Sequence, residues 1–233
     1  MPVSSRRRFL SGMACGCAAL ATSWSAVPGE AASPKPKTSV TADQALTMLK
    51  EGNAAFVQGV CTPASQSQLQ ELARGQSPFA VIVACSDSRT PPGSLFNRGL
   101  GDLFIVRVAG NTVDNTGLGS IEYGVTVLGA PLVVVLGHTQ CGAVEAAVKV
   151  VKDKAKFPGS IGTVVAPIIP AVRSLEGGPD LANRAVVANV QMVVSRLRSS
   201  KPIISRAVAE RKLKIVGAVY DLASGKVDFG VTV

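Results

Sequence analysis

The sequence predicts an α/β fold: a mostly parallel central β-sheet flanked by helices, with an N-terminal helical arm. Three observations lead there. Four short runs, 79–84, 103–108, 132–136 and 213–220, are rich in β-branched residues and lack polar alternation, the pattern of parallel strands covered on both faces. Helical periodicity fills the segments between them, most clearly on 180–199, where Val186, Val190, Val194 and Leu197 form an apolar stripe. Strands and helices thus alternate along the chain, which favours a parallel sheet. No internal repeat and no second core is visible.

The elements follow in order. Residues 32–40 read as a flexible lead before a single domain, 41–233. Thr41-Ala42-Asp43-Gln44 has the form of a capping box, Thr at the N-cap and Gln at N3. Leu46, Leu49 and Phe56 follow at helical spacing, so a helix is expected over 41–58. A short helix around 67–74 precedes the first strand run. Residues 115–128 read as helical, although Gly117, Gly119 and Gly124 weaken the pattern. Another helix is expected over 142–151. Pro202 opens a helix to about Arg211. Residues 226–233 follow the turn Ala223-Ser224-Gly225 as an edge strand.

Composition narrows the function classes. The 233 residues are 47% hydrophobic, enough for a sizeable core. No internal apolar run reaches the length of a membrane span. The N-terminus carries Arg6-Arg7-Arg8-Phe9-Leu10, a weakly apolar stretch from Gly12 to Ala26, and a small-residue exit near Gly29-Glu30-Ala31. That is the layout of a secretory signal over 1–31, and the arginine pair followed by x-Phe-Leu resembles a twin-arginine export signal. Export to a bacterial periplasm is the expectation. Removing 1–31 takes away three arginines and Glu30 and lowers the net charge from +9 to +7. The remaining charge is scattered, and the only tryptophan, Trp24, leaves with the signal. A nucleic-acid surface would cluster its charge with aromatics, so no nucleic-acid partner is expected.

Three of the five cysteines lie beyond the signal: Cys61, Cys85 and Cys141. An odd number makes no disulfide framework. An exported protein needs another reason to keep thiols reduced, and a metal is one. Cys61 reads as an incidental thiol.

Cys85 stands just past the first strand run and His138 just past the third, with Cys141 three residues after it. In open α/β sheets, sites collect outside the carboxyl ends of strands. Taken singly, a buried Cys is a small hydrophobe and a lone His a core residue. Together at two strand ends, with His138 the only histidine in the chain, they read as a metal site. Two thiolates and an imidazole suit zinc. The spacing is not that of a zinc finger and leaves a fourth position. Asp87 and Arg89 lie within four residues of Cys85, which a closed structural site does not need. Asp87, held by Arg89, either takes the fourth position itself or accepts a hydrogen bond from water bound there.

With these residues in view, the chain resembles the β-class carbonic anhydrases. The resemblance rests on Cys85-Ser86-Asp87-Ser88-Arg89, on the stretch from Gly101 to Asn111, on Ser120-Ile121-Glu122-Tyr123, on Gly137-His138-Thr139-Gln140-Cys141-Gly142, and on the stretch from Tyr220 to Val227. It covers roughly 41–233. It implies one Zn2+ per subunit on Cys85, His138 and Cys141, with Asp87 and Arg89 as an orienting dyad. It also implies a CO2 pocket lined by Gln76, Phe104, Tyr123 and Gly142, with Gln76 and the aromatics reaching the zinc across a dimer interface. A homodimer or homotetramer is therefore expected. A subset of the family carries a Trp three residues before the first Cys as part of a regulatory bicarbonate pocket. Here that position is Ile82, so an open site without such regulation is expected, with Asp87 off the metal. Gly93 also stands where many members are acidic, a detail of a helix start.

The implied reaction is reversible hydration of CO2 to bicarbonate and a proton, by zinc-bound hydroxide that Asp87 orients. With no second histidine, the proton leaves through Tyr123, Asp87 or external buffer. Two alternatives remain at this stage: a relative acting on carbonyl sulfide or carbon disulfide, and a non-catalytic zinc module.

Overall fold

The computed structural model describes residues 37–60 and 66–232. The expected export signal, most of the lead and Cys61 lie outside these residues.

Helix α1 (Ala42–Val57) begins at the expected capping box. Thr41 accepts from the Gln44 N–H at 3.3 Å, and the Gln44 side chain accepts from the Thr41 N–H at 2.9 Å. There follow α2 (Gln66–Leu72), β1 (Ala80–Ala84), the one-turn α3 (Pro92–Leu95), β2 (Leu103–Arg107) and a 3-10 turn at Ala109–Asn111. Helix α4 (Asn115–Thr126) is capped by Asp114, which accepts from the Gly117 N–H at 2.7 Å. Then come β3 (Leu132–His138), α5 (Gly142–Asp153), α6 (Ile161–Val165), α7 (Ile169–Arg173), α8 (Leu181–Ser199), α9 (Ile203–Ala209), β4 (Lys214–Tyr220) and β5 (Val227–Val231).

The strands form one sheet in the order β2-β1-β3-β4-β5. All pairings are parallel except β4 with β5, the expected edge strand. The chain leaves β1 toward β2, then crosses back to place β3 on the other side of β1. The order therefore reverses between β1 and β3, the switch point at which open α/β sheets form their crevice. Both strands are buried at every residue, which is why neither shows polar alternation in sequence.

Successive side chains of a strand face opposite sides of the sheet. Val81, Val83, Val133 and Val135 pack with Ile121 of α4 and Val190, Val194 and Leu197 of α8. Ala80, Ile82, Val134 and Leu136 pack with Ala45 and Leu49 of α1 and with Leu95 and Phe96. The N-terminal helix thus seals one face, and the valine stripe of α8 seals the other.

The structure changes several boundaries. His138 is the last residue of β3, not a loop residue beyond it. Helices α6 and α7, joined by a 3-10 turn at Ala166–Ile168, were not expected. Pro167 and Pro170 sit in the first turns of these short pieces, where proline is tolerated, but they break any longer periodicity. The α9 helix ends at Ala209, before Arg211.

Gly137 explains how α8 lies so close to β3. A Cβ there would meet Val190 at 2.7 Å and Val186 at 3.0 Å. Gly137→Ala overpacks this contact and is expected to cost about 1–3 kcal/mol, measured by denaturant unfolding.

Candidate metal centre

The carboxyl ends of β1 and β3 lie side by side, with Ala84 paired to Leu136. Cys85 leaves β1 one residue later, and His138 closes β3 two residues later. Cys141 is the N-cap of α5, so the intervening Thr139 and Gln140 turn the chain back toward β1. One ligand-capable atom from each of Cys85, His138 and Cys141 falls within 4.8 Å of the others. All three residues are buried, at 5%, 1% and 2% exposure. The two sulfurs are 4.0 Å apart.

The imidazole is oriented for ligation. His138 Nδ1 donates to the Thr139 carbonyl at 2.8 Å, which leaves a lone pair on Nε2. Nε2 is buried and has no hydrogen-bond partner among the described residues. A buried polar atom without a partner is costly, and a cation between the two sulfurs satisfies it. Two sulfurs and this nitrogen are a donor set that fits zinc.

With no cation to balance them, the two thiols and the imidazole compete for protons. Cys85 is lowered, first by the hydrogen bond from the Cys141 thiol, with further help from His138 and the Gly110 and Asp87 N–H groups against the cost of burial. Cys141 is raised by its hydrogen bond to Cys85 and by burial, which outweigh the Val144 and Ala143 N–H groups at the start of α5. Only one of two touching thiols ionises readily without a cation. Burial pulls the His138 imidazole down, but Cys85 and the Thr139 carbonyl more than reverse this, so it is raised.

Asp87 and Arg89 stand beside the cluster. Arg89 Nε donates to Asp87 Oδ1 at 2.9 Å and its NH2 group to Oδ2 at 2.7 Å, a bidentate pair. The Arg89 backbone N–H adds a third bond to Oδ1 at 2.9 Å. These bonds hold the Asp87 carboxyl well below the usual carboxylate range. Oδ2 lies 3.8 Å from His138 Nε2, so the carboxylate faces the cluster while Arg89 is half-exposed. An exposed ion pair adds little stability; this one fixes a direction.

Several supporting residues carried no role in the sequence reading. Arg107, at the end of β2, donates through Nε to the Cys85 carbonyl at 2.7 Å and through its NH2 group to the Asp87 carbonyl at 2.5 Å. It straps the loop that presents both residues. Its signal in the sequence was a cation closing an apolar strand run. Thr139, besides accepting from His138, is held by the Leu222 N–H on its hydroxyl at 3.0 Å. Contacts like these, made across the sheet end, leave no spacing pattern to read.

Of the expected pocket residues, only Gly142 adjoins the cluster, opening α5 directly after Cys141. Gln76 lies before β1, at the opposite end of a five-residue strand, which alone spans roughly 16 Å. It lines a separate groove of about 470 Å3 with Leu72, Arg74 and Leu100. Phe104 pairs with Val81 in the register of β1 and β2 and stacks at 6.1 Å on Tyr123, away from the cluster. Within one chain these three do not reach the site.

The chain is similar to known proteins over most of its length. The carbonic anhydrase family model matches residues 80–227, a span that includes every residue of the cluster and the dyad. Carbonic anhydrase 2 of Mycobacterium tuberculosis is 44% identical over 183 residues, covering 76% of this chain and 87% of that protein. The carbonic anhydrase of Mycolicibacterium smegmatis is 39% identical, covering 77% and 89%. Among solved structures, the β-carbonic anhydrase CafA of Aspergillus fumigatus superposes with a TM-score of 0.64 at 28% identity, over 82% of this chain and 91% of that one. A tetrameric β-carbonic anhydrase of Sordaria macrospora gives 0.62 at 27%, over 69% and 84%. This chain belongs to the carbonic anhydrase family, and within it to the β class.

Proposed function

We propose that the chain catalyses the reversible hydration of CO2 to bicarbonate and a proton, with one Zn2+ per subunit held by Cys85, His138 and Cys141. The observation that carries this reading is His138 Nε2, buried beside two sulfurs without a hydrogen-bond partner among the described residues and faced by a clamped carboxylate. When bound, zinc supplies a Lewis acid strong enough to acidify water near neutral pH.

The chain's own residues do the rest. Asp87 is ionised and can only accept hydrogen bonds, so it takes one from the attacking water and turns a lone pair toward the carbon of CO2. Arg89 fixes the carboxylate plane for that task. Arg107 holds the loop so that Cys85 and Asp87 keep their spacing. The test is stopped-flow CO2 hydration by the zinc-loaded chain, run beside carbonyl sulfide and carbon disulfide. Turnover confined to the sulfur substrates would overturn the reading.

The released proton has no histidine to carry it, because the single imidazole is in the cluster. The hydration rate is expected to rise with buffer concentration and then saturate. A rate independent of buffer over the same range would count against this route.

The pocket reading requires a second copy. β2 is an edge strand, and Ile105 on it is exposed, as are Leu100 just before it, Tyr123 on α4 and Val127 at the end of α4. A dimer pairing across this side buries them and brings Gln76, Phe104 and Tyr123 of one chain toward the cluster of the other. Ile105→Lys is expected to yield monomers by sedimentation and to lower turnover at least about tenfold, roughly the effect of a lost hydrogen bond to a charged or reacting group. We further propose export through the twin-arginine route, on the strength of Arg6-Arg7 and the apolar stretch after them.

A further inference from the structure

One polar side chain interrupts the apolar face that α8 turns to the core. Asn189 is 0% exposed, on the same helix face as the buried Val186, Val190 and Val193. Its Nδ2 donates to the Gly110 carbonyl at 2.8 Å, while its Oδ1 has no hydrogen-bond partner among the described residues. An aliphatic residue would leave no such atom unsatisfied. The bond that Asn189 does make therefore calls for a use.

That use lies one peptide plane further on. The Gly110 N–H donates to Cys85 Sγ at 3.2 Å. Gly110 has φ +72°, and a Cβ there would lie 2.5 Å from Ile168 Cδ1 and 3.2 Å from Ala143 Cβ. The bonds to Asn189 and to Cys85 sit on the two peptide planes that flank the Gly110 Cα. Fixing one plane limits rotation of the other. Asn189, Gly110 and Cys85 thus form a relay from the middle of α8 to a cluster sulfur.

We infer that Asn189 is a positioning residue for the metal centre. It keeps the Gly110 N–H on the Cys85 sulfur, and this bond withdraws charge from the thiolate. A site with two thiolate donors thereby retains more Lewis acidity at its ion than the sulfurs alone would leave it. The inference rests on reading Cys85, His138 and Cys141 as metal ligands.

The test uses the full chain loaded with Co2+, whose sulfur-to-cobalt charge-transfer band reports thiolate donor strength. Asn189→Ala and the near-isosteric Asn189→Leu are expected to move this band to lower energy. They are also expected to weaken Zn2+ about tenfold or more in competition with a chelator, the usual scale for groups that orient a ligand. Val194→Ala, a buried truncation on the same helix, is expected to lower thermal stability while leaving band and affinity unchanged. An unchanged band and affinity in either folded Asn189 variant overturns the inference. If neither variant folds, the unaltered protein decides. Loaded with a spin-active cadmium isotope, it should show scalar coupling between the metal and the Gly110 amide proton, and absence of that coupling overturns the relay. A wild-type chain that takes up none of these ions overturns the metal reading itself, which is a separate result.

Discussion

Asp87→Asn is expected to leave zinc content unchanged and to lower CO2 hydration by about 10^2–10^4-fold, the range of a positioned acid–base group. The two amino acids have nearly the same shape, so the loop strapped by Arg107 keeps its form. What changes is the chemistry of one edge: a carboxylate that only accepts is replaced by an amide whose NH2 group donates. If that NH2 turns toward the cluster, the attacking water loses its acceptor. If it turns toward Arg89, it faces a second donor and the clamp opens. Metal analysis beside stopped-flow kinetics separates this from loss of the ion, and full activity in the variant would remove Asp87 from the mechanism. The pH dependence has a fixed sign. Arg89 depresses the Asp87 carboxyl, so the stability from this pair is present above the ordinary carboxylate value and is lost only as pH falls through the depressed folded value. The rate profile of the wild type should therefore carry no limb from Asp87 near neutral pH.

Stripping the ion with a strong chelator is expected to abolish turnover, retain the far-UV dichroism, and lower the melting temperature. The magnitude follows from linkage. An ion present at a thousand times its dissociation constant stabilises the native state by about 4 kcal/mol. For a domain of this size, each kcal/mol is worth about 2–4 °C, so a fall of roughly 8–16 °C is expected, restored by adding Zn2+. The secondary structure should survive because the ligands stand at or just past the ends of β1 and β3, strands that are buried without help from the ion. Coincident loss of dichroism and activity at low temperature would show instead that the ion builds the fold. Cys85→Ser and His138→Ala should mimic the stripped protein and resist rescue by zinc.

The sheet was legible because buried parallel strands write continuous β-branched runs, and β1 and β3 do so plainly. The valine stripe of α8 and the capping box of α1 were equally readable, each being a local pattern with a local cause. Cys85, His138 and Cys141 could be grouped because strand ends are where such folds gather chemistry, and all three lie at or just past one. What escaped is what depends on contact between distant segments. Pro167 and Pro170 hid α6 and α7 by breaking them into single turns. Arg107 and Thr139 act through backbone carbonyls and hydroxyls, a use that neither residue type advertises. Gln76 was placed in the pocket by resemblance alone, and one chain sets it at the far end of β1.

The two strands whose ends flank the cluster each have a neighbour on both sides and a helical layer over each face. A protein opens most rarely in such regions, where any breathing large enough to part the strands approaches global unfolding. Departure of a bound ion must then proceed through the mouth of the crevice, by exchange of donors one at a time, and its lifetime in the protein is decoupled from the fraying of the surrounding chain.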